Sequence, residues 1–252
     1  MNRIHQCFSD LKSRDEKAFI PFITAGDPTL DITEELVLEL EKAGADIIEF
    51  GVPFSDPLAD GPVNQAAAQR ALKNDVNLGT ILARVKKLRE RTEIPIILFT
   101  YYNPVLVYGA EKLAQDCKAS GIDGILCVDL PPEEAVEYRE FFKAADVDTV
   151  FLLAPTSTDE RVKVIAEASS GFIYYVSRTG VTGEQSSIET SVEPMVKRIK
   201  EHTDIPIAIG FGVSSPEQAK EIASYGDAVV VGSAIVRMVG ELGDTPETAA
   251  KV

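Results

Sequence analysis

The chain alternates short, almost wholly apolar runs with longer stretches in which apolar residues recur every three or four positions. The run Ala18 to Ala25 (AFIPFITA) shows no apolar–polar alternation, so both faces of the strand it predicts are buried, as in a parallel sheet covered by helices. The stretches between such runs read as amphipathic helices. Ile4, Cys7, Phe8 and Leu11 share one helical face and Asn2 stands where a cap is needed, so the chain opens with a short helix that requires a floor to cover. Ile32, Leu36, Leu40 and Ala43 predict a second helix, stopped by Gly44 just before the apolar run Ile47 to Phe50. Strand, helix and strand fit within about 35 residues, the length of a parallel βαβ unit.

The same joins recur along the chain. Ala43-Gly44-Ala45-Asp46, Ser120-Gly121-Ile122-Asp123 and Tyr225-Gly226-Asp227 each close a helix with glycine ahead of an apolar strand. Thr92-Glu93-Ile94-Pro95-Ile96 and Thr203-Asp204-Ile205-Pro206-Ile207 put proline at a strand entry, where its missing N–H is tolerated. The predicted strands are Ala18 to Ala25, Ile47 to Phe50, Ile94 to Tyr101 and Gly124 to Asp129, then Thr149 to Leu153, Phe172 to Val176, Ile207 to Gly210 and Ala228 to Val231. Eight strands with helices between them are what a closed (β/α)8 TIM barrel requires, here a single domain over residues 1–252 with an extra N-terminal helix. An open, doubly wound sheet is the alternative.

Composition narrows the partners. A formal net charge of -15 and a pI of about 4.6 oppose binding to nucleic acid or an anionic membrane. The same field repels a phosphorylated ligand, so any phosphate site must be a local arrangement of amides or cations. Cys7, Cys117 and Cys127 are too few and too scattered for a disulfide framework or a zinc motif, and reduced thiols in a cytoplasmic compartment are expected. No apolar run suits secretion or membrane insertion. His5 and His202 stand among charged neighbours and read as solvated.

Ligands of such a barrel meet the C-terminal ends of the strands and the loops after them. Glu49 interrupts the buried second strand, and an unpaired carboxylate there is costly unless protonated or matched by a cation. Glu49 therefore reads as a proton-transfer group or as half of a buried ion pair. Asp60 ends a loop stiffened by Pro53, Pro57 and Pro62, where it either serves the site or closes a turn with Gly61. The connection from Gly51 to Asn77 far exceeds the usual ~2–6 residues and marks a functional insertion, with a short helix over Asn64 to Leu72. Of Tyr101 and Tyr102, alternation lets only one face the barrel mouth. The long loop after the sixth strand, Arg178 to Ser187, is a lid or a flexible connection. Gly210-Phe211-Gly212 with Ser214 or Ser215, and Gly232-Ser233, each lead from a strand end into a helix. Together these neighbouring loops can cradle a phosphate with backbone N–H groups.

Four segments carry a resemblance in order and spacing: PFITAGDP from Pro21, Glu49 with GVPFSDPLADGP from Gly51, SRTGVTG from Ser177, and GFGVS from Gly210. Together they resemble the tryptophan synthase alpha-subunit family, with PFSDPLADGP the most specific run. The resemblance implies a TIM-barrel lyase that cleaves indole-3-glycerol phosphate to indole and glyceraldehyde 3-phosphate, with neither metal nor organic cofactor in this subunit. It implies an α2β2 partnership with a pyridoxal-phosphate beta subunit, through loops 53–62 and 178–187. Glu49 matches the family's acid/base and Asp60 the residue at the indole nitrogen. Phe22, Phe99, Tyr101, Leu126, Val128, Leu153, Tyr174, Thr182 and Phe211 match its indole pocket, and Gly183, Gly212, Gly232 and Ser233 its phosphate site. A cytoplasmic location is expected, with a plastid stroma open if a transit segment was removed. Three other readings remain: a stand-alone lyase releasing free indole, a barrel that only binds a partner, and a phosphosugar isomerase.

Overall fold

The computed structural model describes residues 2–177, 192–210, 212–245 and 247–252. The first helix, α1 (Arg3–Ser13), starts where Asn2 accepts the Ile4 N–H at 3.0 Å. It leads to β1 (Ala18–Thr24), α2 (Leu30–Lys42) and β2 (Ile48–Gly51). The long insertion holds α3 (Pro62–Leu72) before α4 (Leu78–Leu88), β3 (Ile96–Thr100), α5 (Tyr102–Tyr108), α6 (Ala110–Ser120) and β4 (Gly124–Cys127). Then follow α7 (Val136–Ala144), β5 (Asp148–Val150), β6 (Leu152–Leu153), α8 (Asp159–Ala168), β7 (Ile173–Val176) and α9 (Val192–Lys200). The chain ends with β8 (Ile207–Gly210), α10 (Pro216–Ala223), β9 (Ala228–Val231), α11 (Ser233–Leu242) and α12 (Thr248–Lys251).

All strand pairs are parallel, in the order β5-β4-β3-β2-β1-β9-β8-β7-β6, which makes a nearly closed barrel with helices around it. The fifth predicted strand is two short ones. β5 pairs with β4 and β6 with β7, and between them the Phe151 carbonyl accepts the Tyr174 N–H at 3.1 Å. The ring therefore closes through a strand that changes partner at Phe151.

Alternation sorts the side chains into two buried layers. Ala18, Ile20, Ile47, Ile97, Leu126, Val150, Phe172, Tyr174, Ala208, Ala228 and Val230 fill the barrel interior, and Ile4, Phe8 and Leu11 of α1 belong to that same cluster. The N-terminal helix thus plugs the barrel floor, with the Phe8 and Phe172 rings 5.9 Å apart. The outer layer, including Ile48, Phe50, Leu98, Ile125 and Tyr175, packs against the helices.

The aspartates of the repeated joins have a common use. The strand-leading carboxylate takes a backbone N–H of the neighbouring strand: Asp46 from Phe19 at 2.8 Å, Asp123 from Ile96 at 2.9 Å and Asp227 from Ile207 at 3.0 Å. Each pins two strands at the floor, away from the mouth. Pro95 and Pro206 stand just ahead of β3 and β8, and their carbonyls accept the N–H groups of Ile48 and Ile173. His5 is not simply solvated, since its Nε2 lies 3.1 Å from the Asp148 carboxylate. Among the described residues no helix is long and apolar enough to cross a membrane.

Candidate active site

Glu49 points into the barrel because Ile47 does so two positions earlier, while Ile48 and Phe50 join the outer layer. Its Cα partners across the sheet are Phe22 and Ile97, which surround the carboxyl with hydrocarbon. Glu49 is 1% exposed and its Oε1 has no hydrogen-bond partner, and among the described residues no cation pairs with it. Burial alone pushes its pKa up to about 8.

Glu49 shares a cavity with Phe22, Asn64, Phe99, Tyr174, Gly212, Val213, Val230, Gly232 and Ser233. Gly212 follows β8 and takes a left-handed φ of 85°, ahead of Ser215, which caps α10. Gly232 follows β9 and caps α11, whose first residue is Ser233. The two predicted glycine loops therefore line one cavity with Glu49: Gly212 and Val213 from the loop ahead of α10, and Gly232 and Ser233 from the N-terminus of α11.

An adjoining cavity holds Asp60 and Tyr101, and Phe22, Asn64 and Phe99 line both. Tyr101 is the tyrosine that faces the mouth. Its hydroxyl donates to Asp60 Oδ2 at 2.9 Å and accepts the Ala59 N–H at 3.0 Å, whereas Tyr102 opens α5 and gives its N–H to Asp129. Asp60 is 8% exposed. Burial raises its pKa, and Tyr101 and Asn64 offset only part of that rise. The loop is anchored from beneath, because Arg70 of α3 forks onto Asp27 after β1 with two bonds of 2.7 Å.

The rings of Phe22 and Phe99 meet edge to face with centroids 5.2 Å apart. Leu126 and Val128 belong to the interior cluster, though neither lines these two cavities. Leu153 does not belong here. It packs in the outer layer at 1% exposure, and Leu152 faces inward instead, because Val150 points in and alternation puts Leu152 on its side. Thr182, Gly183, Phe211 and the loop 178–187 lie outside the described residues.

Sequence reasoning passed over Asn64 and Gly51 as site residues, and took Gly210 only as part of a phosphate loop. A Cβ on Gly51 would meet Phe22 Cζ at 2.5 Å, and one on Gly210 would meet the Tyr174 hydroxyl at 2.5 Å. Both glycines end strands, so the signal was a residue without a side chain at the mouth. For Asn64 the signal was its place four residues after Asp60, on the first turn of a helix. Among the described residues no group of three His, Cys, Asp or Glu side chains could hold a metal ion.

A family model described as the tryptophan synthase alpha chain matches residues 8–252. The chain belongs to the tryptophan synthase alpha chain family. It is 52% identical to the tryptophan synthase alpha chain of Geotalea uraniireducens over 241 residues, covering 96% of this chain and 90% of that one. With the alpha chain of Solibacter usitatus it shares 51% identity, over 95% of this chain and 90% of the relative. Among solved structures, Mycobacterium tuberculosis tryptophan synthase superposes with a TM-score of 0.90 at 37% identity, over 99% of this chain and 95% of that one. The tryptophan synthase complex of Pyrococcus furiosus gives 0.84 at 40%, over 93% and 95%. As a member of this family, the chain is a lyase of tryptophan biosynthesis that cleaves indole-3-glycerol phosphate. A stand-alone indole-releasing lyase is not favoured, since these relatives are alpha chains.

Proposed function

We propose that this cleavage runs in the paired cavities with Glu49 as the acid/base and Asp60 as the charge partner of the indole ring. One observation carries the reading: an unpaired, fully buried carboxyl shares its cavity with the glycine loops after β8 and β9. Held protonated by its apolar surroundings, Glu49 gives its proton to indole C3. Positive charge then spreads toward the ring nitrogen, where the Asp60 carboxylate accepts the N–H and stabilises it out of water. As the carbon–carbon bond breaks, the Glu49 carboxylate takes the proton of the neighbouring hydroxyl. That oxygen becomes the aldehyde, and Glu49 is again an acid.

Phe22, Phe99, Tyr101 and Tyr174 bracket the ring, and backbone N–H groups at Gly212, Gly232 and Ser233 take the phosphate, together with Gly183. Binding at the two ends aligns the bond between them. This subunit needs no cofactor of its own. Indole passes to a beta subunit carrying pyridoxal phosphate, in an α2β2 assembly. The exposed apolar residues Leu58 at 87%, Leu106 at 63% and Val107 at 81% support a partner surface that includes loop 53–62. The family resemblance adds loop 178–187, outside the described residues, to the partner loops; the chain acts as one domain over residues 1–252, and the compartment is the cytoplasm.

The test is indole release from indole-3-glycerol phosphate by the purified chain, with and without a beta subunit. Slow release accelerated by the beta subunit is expected. Absence of release under both conditions would sink the assignment of these residues.

A further inference from the structure

Asn64 is the only polar side chain that lines both cavities among the described residues. It is 8% exposed, four residues after Asp60, and lines the cavity wall together with Phe22 and Phe99. Nothing about α3 requires an amide there, because Gly61 caps the helix and Pro62 starts it. An apolar residue of the same size would suit a helix wall beside two phenylalanines better. Asn64 also stands beside the Asp60 carboxylate and favours its charged form. An ionised carboxylate only accepts, so it is the N–H end of the amide that favours it. The other end, Oδ1, is buried and has no hydrogen-bond partner. A buried amide oxygen left unpaired is unfavourable, and a bound donor would relieve it.

We propose that Asn64 is a positioning residue working from both ends of its amide: the N–H holds Asp60 against the indole nitrogen, and Oδ1 receives a hydroxyl of the substrate's glycerol chain. This rests on the lyase reading above. Asp60 takes the indole N–H, so the donors left for Asn64 are the hydroxyls between ring and phosphate. Tyr101 and Asn64 both favour the charged Asp60, which keeps the carboxylate in place while charge develops beside it.

The experiment uses the full chain with Asn64→Leu and Asn64→Asp, following kcat and KM for indole release from about pH 5 to pH 9, with thermal unfolding alongside. For Asn64→Leu, kcat/KM should fall about tenfold or more and KM should rise. The acidic limb of its profile should move to higher pH, since Asp60 has lost a donor to its charged form, while the unfolding midpoint should not drop. Asn64→Asp keeps an acceptor and puts a second carboxyl beside Asp60, so its acidic limb should move further. If Asn64→Leu fails to fold, the isosteric Asn64→Asp decides by its limb. Unmoved limbs in an active protein, or a uniform loss at every pH with KM unchanged, would reduce Asn64 to a cavity wall and overturn the proposal. A wild-type chain that releases no indole removes the lyase reading and this inference together, so the two failures are distinguishable.

Discussion

Tyr101 and Asp60 are joined by a hydrogen bond of 2.9 Å that ties the top of β3 to the long loop after β2. The tyrosine oxygen also accepts the Ala59 N–H, so one side chain orders the loop and orients the carboxylate. Tyr101→Phe should lower kcat for indole release about tenfold and shift the acidic limb of kcat/KM upward, because Asp60 loses a donor that favours its charge. Steady-state rates against pH check this, and an unmoved limb would show that the bond does not reach Asp60 in the working enzyme.

Glu49→Gln keeps the shape of the cavity and removes the proton. Indole release should fall by about 10^2 to 10^4, while an uncleavable indole phosphate should bind within a few fold of wild type. Single-turnover rates and equilibrium titration separate the two effects. Near-normal turnover would remove Glu49 from the proposed mechanism.

The same carboxyl makes stability depend on pH. Its pKa rises from 4.5 to about 8 on folding, so between those values the folded chain holds a proton that the unfolded chain has released. Its contribution is therefore fully present below about pH 4.5 and is lost as pH climbs toward 8, at roughly 1.4 kcal/mol per unit. Glutamine has no such proton to lose. Urea unfolding at several pH values should show Glu49→Gln gaining on wild type from pH 5 to pH 8, and a difference independent of pH would contradict the burial argument.

Gly210→Ala would put a methyl group 2.5 Å from the Tyr174 hydroxyl and 3.0 Å from Val230 Cβ. One of them must move, and overpacking of this kind costs about 1–3 kcal/mol. Activity should fall with stability, because Tyr174 lines the cavity of Glu49. Pairing Gly210→Ala with Tyr174→Phe should recover part of the lost stability, measured by denaturant midpoints in a double-mutant cycle.

Asp123 tests the floor. Its carboxylate takes the Ile96 N–H at 2.9 Å, Arg89 at 2.8 Å and Arg3 at 3.0 Å. Asp123→Ala leaves Arg89, 10% exposed, without its carboxylate partner and should cost about 3–5 kcal/mol. Asp46→Ala, whose partner is one backbone N–H, should cost about 1–3 kcal/mol. Folded protein at low temperature should retain its kcat in both, because the floor lies at the opposite end of the strands from Glu49.

The linear chain by itself determined the barrel and most of its timetable. Apolar runs buried on both faces, helices closed by Gly44 and Gly121, and strand entries marked by Pro95 and Pro206 are local signals, each set by backbone chemistry within a few residues. It also put Glu49 in a buried strand and the glycine loops after the last two strands, because burial and conformational freedom leave compositional marks. Tertiary structure alone decided what those residues meet. Whether Glu49 has a cation partner, and whether Tyr101 or Tyr102 reaches Asp60, depends on side chains that lie far apart in the chain and are brought together by the closed ring. Leu153 was misplaced for the same reason: strand parity through Phe151 is a property of the register with β4 and β7, and a slip of one residue exchanges inside for outside. Asn64 gave no sign of itself on an alanine-rich helix beyond its spacing from Asp60. Its environment is made by β1, β3 and the Asp60 loop, and only their convergence turns an ordinary amide into one with a buried, unanswered oxygen.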